Sequence, residues 1–236
     1  YNTYMIPYLD DKYEMLRMLS DAIKGVYASV YFRDSKAYMQ ATSNVIDQEK
    51  MAVILQQVVG NQYGDRYYPS MSGVARSLNY YPLGNEKAEE GTVNLALGLG
   101  KYIVDGGMTL RFSPPYHPNQ VLQTSEMEIA LKETQTRFYA LDLKNAGHDF
   151  SIDDGFNLLK LHVKEAESDG ALRYIASTYD PYDQIIRDGL YPGGRKVITF
   201  ANILQHDVFP LARILQLVLK LSLIHISEPT RPLYIS

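Results

Sequence analysis

The sequence contains no cysteine and no tryptophan. Without cysteine there is no disulfide, no thiolate zinc site and no cysteine nucleophile, and a reducing, cytoplasmic setting is expected. Long apolar runs are missing too: none reaches the roughly 18–20 residues that span a bilayer. The opening Tyr1-Asn2-Thr3-Tyr4 has no charged region ahead of an apolar stretch, so neither a signal peptide nor a membrane partner is expected. Nor is there a surplus of basic charge. Lys and Arg number 23 against 27 Asp and Glu, a formal net charge of −4. A general nucleic-acid binder carries a basic face, so no nucleic-acid partner is expected.

What is present is ordinary globular material. The chain has 236 residues, 46% hydrophobic and 21% charged, which suits one large domain or two small ones and argues against disorder. Tyrosine dominates the aromatics, 20 against 7 Phe. Pairs such as Tyr67-Tyr68 and Tyr80-Tyr81 suit either a stacking surface or sheet-edge packing, and the burial habits of Tyr favour packing.

The strongest helical signal runs from Asp11 to Phe32, where Leu16, Leu19, Ile23, Val26 and Val30 recur every three or four residues. Asp11 followed by Glu14 resembles a capping box. A short helix is expected over Ser35 to Thr42, and a buried strand over Met51 to Val59 (MAVILQQVV), ended by Gly60. Gly64-Asp65 is turn chemistry. Strands are expected over Val74 to Tyr81 and Gly91 to Leu97, then a short helix over KYIVD between glycine turns. Pro114-Pro115 and Pro118 break regular structure. Glu126 to Leu141 reads as helix, and Leu158 to Val163, Ala171 to Ser177 and Lys196 to Ala201 read as short runs. Asp207 to Lys220 reads as a helix with Val208, Leu211, Leu215 and Val218 on one stripe. Strands and helices without regular βαβ alternation imply an α+β fold.

Chemistry-bearing motifs are sparse. Gly98-Leu99-Gly100-Lys101 fails as a Walker loop, because Leu95 and Tyr102 stand where Gly and Ser or Thr are required. It fails as a dinucleotide fingerprint because Ile103 replaces the third glycine. A glycine turn between a strand and a short helix remains, either plainly structural or with amides facing an anion. His117, His148, His162 and His206 show no helical metal-pair spacing. His148-Asp149 and His206-Asp207 are adjacent pairs whose side chains diverge, so neither forms a ready dyad. Asp153-Asp154 and Glu89-Glu90 are either magnesium ligands or solvated loop acids.

Three blocks in order, MAVILQQVVG, SGVARSLNYYP and GTVNLALGLGKYIVDGG, resemble the amino-terminal domain of the phosphoenolpyruvate synthase and pyruvate phosphate dikinase family. ASVYFRDSKAY resembles the helix pair before the family's hinge, and ITFANILQHDVFPLARILQLVLK extends the likeness to about residues 1 to 220. The resemblance implies an ATP-grasp-like nucleotide-binding domain that takes ATP with magnesium. It implies partners within the parent chain: a swivelling domain whose histidine accepts the phosphate, and a pyruvate-binding barrel. Carried over residue by residue, Gln56, Gln57, Val58 and Val59 would lie beside adenine. Ser72, Gly73 and Val74 would begin a strand under the phosphates, Gly98 and Gly100 would allow close backbone approach, and Arg76 would be a charge partner for phosphate.

The family's upstream Arg-Ser-Ser segment and its downstream Asp-x-Glu and Gln-x-Arg elements have no counterpart here, so metal ligands are expected outside this sequence. The segment LSLIHISEPTR resembles a frame translation of a sequencing adapter. Residues 221–236 are therefore expected to be non-native read-through, and residues 1–220 a partial domain truncated at both ends. The parent is expected to be an ATP-dependent phosphotransferase and this piece to be inactive. The alternative is a non-catalytic ATP-grasp-like binding or regulatory module.

Overall fold

The computed structural model describes residues 4–41, 51–116, 131–144, 157–224 and 233–235. Its helices are α1 (Lys12–Ala28), α2 (Arg33–Ala41), α3 (Lys101–Val104), α4 (Val163–Ser168), α5 (Ala201–Leu204) and α6 (Leu211–Ile224). Its strands are β1 (Asn61–Tyr63), β2 (Arg66–Tyr68), β3 (Ser72–Arg76), β4 (Thr92–Ala96), β5 (Leu110–Phe112), β6 (Arg137–Asp142), β7 (Leu158–His162), β8 (Ala176–Asp180), β9 (Ile185–Asp188), β10 (Arg195–Ile198) and β11 (Leu233–Ile235). They form sheets in the orders β1-β2-β6-β7, β10-β8-β9 and β11-β3-β4-β5. The mixture is α+β, as composition and pattern imply. Two units divide the chain: Tyr1–Val58 with Gly64–Tyr67 and Leu141–Leu159, and Val59–Tyr63 with Tyr68–Ala140 and Lys160–Ser236.

In the first unit, Asp11 caps α1 by accepting from the amides of Tyr13 and Glu14. The reciprocal half of a capping box is not made, because Glu14 turns forward to pair with Arg17. The inward stripe is Met18, Ala22 and Gly25, rotated from the expected one, and it leaves Leu16 exposed. Gly25 admits the Tyr4 ring, since a Cβ there would lie 2.8 Å from its hydroxyl. The helix tightens into a 3-10 turn at Ser29–Tyr31 before Phe32, and α2 starts at Arg33 rather than Ser35.

Two expectations are corrected. No strand forms over Met51 to Val59: among the described residues this run joins no ladder, and Ile54 and Leu55 are 85% and 65% exposed. An apolar β-branched run becomes a buried strand only where a partner supplies its hydrogen bonds. The second correction concerns the expected helix over Glu126 to Leu141. Residues 126–130 lie outside the described part, and Arg137–Asp142 is strand β6. Its alternation wins over the helical reading, because Phe138 and Ala140 are fully buried on one face.

In the second unit, β3 and β4 pair antiparallel with Ser72 opposite Ala96 and Val74 opposite Asn94, and β4 pairs β5 with Asn94 opposite Arg111. Strand alternation then separates two faces. Ala75, Val93, Leu95 and Phe112 enter the core, while Ser72, Val74, Asn94 and Arg111 share the other face. Core packing continues through Tyr68, Phe138, Leu172, Phe200 and Leu215. Tyr68 stacks at 4.6 and 4.8 Å from Tyr63 and Phe138, so it is packing, whereas Tyr80 and Tyr81 are exposed. Helix α6 begins after Pro210 and buries Leu211, Leu215 and Leu219, leaving Val208 outside.

Strands β8, β9 and β10 form an antiparallel sheet. The β8–β9 turn is tied by Asp180. The Tyr182 amide, then the Asp183 amide and the Arg187 guanidinium, hold its carboxyl below the ordinary aspartate range against a desolvation that opposes them. Among the described residues no helix is long and apolar enough to cross a membrane.

Candidate functional site

The start of β3 and the turn after β4 come together in the second unit. Ser72 is 2% exposed, and its hydroxyl has no hydrogen-bond partner among the described residues. A buried unsatisfied hydroxyl costs about 1–3 kcal/mol. Gly73 beside it allows the strands to close, because a Cβ there would lie 2.8 Å from Leu95 Cδ2. Val74 is buried and Arg76 exposed on the same face.

The turn Leu97 to Gly100 is shaped from below. Gly98 has φ +85°, and a Cβ on it would meet the Tyr139 carbonyl oxygen at 2.6 Å. Its amide donates to the Pro69 carbonyl at 3.2 Å, and the Leu99 amide donates to the Tyr139 carbonyl at 2.9 Å. These two amides are thus spent inside the protein and cannot face an anion. Gly100 differs in every respect. Its φ is −59°, a value any residue adopts, and its amide donates to no described residue. A Cβ there would find only Ser72 Cβ, at 3.9 Å. A glycine required neither by conformation nor by packing therefore stands near Ser72, whose buried hydroxyl has no partner among the described residues.

Next along the chain, Lys101 is 10% exposed and pairs with Asp105 at 3.0 Å. The Tyr102 ring meets Tyr139 edge-on at 6.2 Å, and Lys160 lies 5.5 Å from the Tyr139 centroid. Burial pushes the Tyr102 phenol up, partly countered by a bond to the Met108 backbone.

Ser72, Gly73, Val74, Gly98 and Gly100 are thus brought together, with Val59 in the same unit. Gln56, Gln57 and Val58 belong to the first unit, where the Val58 carbonyl accepts from the Tyr67 hydroxyl at 3.2 Å. Sequence reading missed Asn94, which accepts from Thr109 at 3.2 Å, and the cluster of Arg111, Glu86 and Asn79. The alternation T-V-N-L-A was a usable signal for Asn94 on the Ser72 face. Gln135 carried no local signal, although it bonds both backbone groups of Leu97.

His206 pairs with Asp188 at 3.1 Å rather than with its neighbour Asp207, and the Ser177 hydroxyl reaches the other oxygen of Asp188 at 3.2 Å. Residues His117, His148, Asp149, Asp153 and Asp154 lie outside the described part. Glu90 caps its own short turn by accepting from the Lys87 amide. Among the described residues no group of three or more His, Asp or Glu side chains converges.

A mixed helix-and-sheet body is consistent with a nucleotide-binding domain. The chain belongs to the family of pyruvate phosphate dikinase AMP/ATP-binding domains, whose model matches residues 1–151. That membership supports ATP as the ligand and a kinase-type phosphotransferase as the setting. No curated protein and no solved structure matches the chain. Strands β8, β9 and β10 with helices α4 to α6 lie beyond the family match.

Proposed function

We propose that this chain is the ATP-binding part of a phosphoenolpyruvate synthase-like phosphotransferase, with an ATP-grasp-like fold. In the parent, ATP phosphorylates a histidine on a swivelling domain, and the phosphate passes to pyruvate in a barrel. The observations that carry the site are the Ser72 hydroxyl, buried without a partner among the described residues, and the Gly100 amide, which donates to none of them. Both are unspent donors on the segments that the resemblance sets under the phosphates, and a phosphate oxygen requires such donors. Gln56, Gln57, Val58 and Val59 form the adenine-facing run in this reading, and Arg76, exposed at the end of β3, is the charge on the phosphate side. Magnesium ligands come from segments outside this sequence. Residues 1–220 are the native part and 221–236 adapter-derived, which one long DNA read across the Lys220 codon tests directly.

The chain alone should bind ATP without turning it over, because phosphoryl transfer rests on positioned charge that this set of groups does not supply. Ser72→Ala is the discriminating variant. Removing an unsatisfied buried hydroxyl should raise stability by about 1 kcal/mol, while ATP affinity falls about tenfold. Calorimetric titration with ATP beside thermal melts reads both. A variant that melts later and binds ATP as tightly as the parent chain would remove Ser72 from the site.

A further inference from the structure

We propose that Gln135 is a positioning residue for the nucleotide-facing turn, an inference that rests on the reading above. Gln135 precedes β6 and is 5% exposed. Its Oε1 accepts from the Leu97 amide at 2.8 Å, and its Nε2 donates to the Leu97 carbonyl at 2.9 Å. The remaining Nε2 hydrogen goes to the Arg137 carbonyl at 2.9 Å. The carboxamide thus exchanges both backbone bonds with one residue, as a facing strand residue does in an antiparallel pair. Leu97 directly succeeds the last residue of β4, so a side chain extends the strand's pairing by one position.

The turn begins immediately after Leu97. Gly98 and Leu99 are tied to Pro69 and Tyr139, and Gly100 comes next with its open amide. Gln135 reaches from Leu97 to Arg137, two residues from Tyr139, so it couples the end of β4 to the strand on which the turn rests. Only an amide satisfies the arrangement, since one acceptor and two donors are used at the same end of one side chain. Glutamate keeps the acceptor and loses both donors. Leucine loses all three and leaves the Leu97 amide and two carbonyls without that partner.

Hydrogen exchange and ATP titration of the full chain test this together, with Val197→Ala as the control. Val197 is fully buried on β10, which lies in a different sheet from β4 and β6, so the control lowers stability away from the turn's own strands. In Gln135→Leu the amides of Leu97 and Leu99 should exchange at least a hundredfold faster than in the control, while those of Val93 and Leu95 keep their rates. Gln135→Glu should protect Leu97 better than Gln135→Leu but still loosen Leu99, and both variants should bind ATP at least tenfold more weakly than the control. Exchange at Leu97 and Leu99 matching the control would overturn the proposal. So would loosened exchange with control-like ATP affinity. If the unsubstituted chain itself fails to bind ATP, the functional reading falls, and the exchange comparison alone decides whether Gln135 sets the turn.

Discussion

Replacing Arg111 with methionine should cost the fold about 3–5 kcal/mol, the usual loss when one partner of a buried ion pair is removed. The reason is Glu86, whose side chain is 1% exposed. Its carboxylate accepts from Arg111 Nη2 at 3.1 Å, from Asn79 Nδ2 at 2.7 Å and from the Leu83 amide at 3.0 Å. Arg111 also donates to Asn79 Oδ1 and to the Tyr81 carbonyl, each at 3.0 Å. One guanidinium on β5 therefore closes the loop between β3 and β4 around a buried charge. Without it that charge loses its guanidinium partner, while the Asn79 and Leu83 donors remain. The double variant Glu86→Gln with Arg111→Met should lose clearly less than the single one, because no bare carboxylate is left inside. Denaturant unfolding of the four chains of this cycle checks the claim. A single-variant loss below about 1 kcal/mol would show that solvent already reaches Glu86.

Gly98→Ala should be comparably damaging, by about 3 kcal/mol. Two costs combine: a left-handed backbone for a residue with a Cβ, and overpacking against a rigid neighbour, each about 1–3 kcal/mol. The clashing atom is the Tyr139 backbone oxygen at 2.6 Å, with Phe138 side-chain atoms at 2.8 and 3.0 Å, so little can give way. Gly100→Ala makes the contrast. With φ −59° and no atom closer than 3.9 Å, it should leave the melting temperature nearly unchanged. Its methyl group would occupy open space next to the Ser72 Cβ, and ATP affinity should drop about tenfold. Equal effects of the two alanines on stability would contradict this account of the turn.

The candidate site residues differ in what holds them in place. Ser72, Gly73, Val74, Gly98 and Gly100 came from the order of three sequence blocks, and the structure places them together in one unit. Gly98 and Gly100 look alike in the sequence, yet only one is required by the backbone. That difference lies in what faces each position: Tyr139 and Phe138 at one, and only Ser72, at van der Waals distance, at the other. Arg76 was legible as a candidate charge and is exposed at the end of β3.

Local chemistry was sufficient wherever the deciding groups lie within a few residues of one another. The Asp11 cap, the Gly64-Asp65 turn with Gly64 at φ +59°, the strands around Val74 and Val93, and the short helix after Gly100 all belong here. Their hydrogen bonds and backbone angles depend on neighbours in the chain, so residue type and spacing determine them. Tertiary structure decided the rest. MAVILQQVV has strand composition but no ladder partner among the described residues, and Arg137–Asp142 became a strand because its alternate side chains found a core. Gln135 met Leu97 across 38 positions, and His206 met Asp188 across 18 instead of its neighbour Asp207. A carboxamide, an imidazole or an apolar run takes its role from the group facing it, and folding chooses that group from far along the chain.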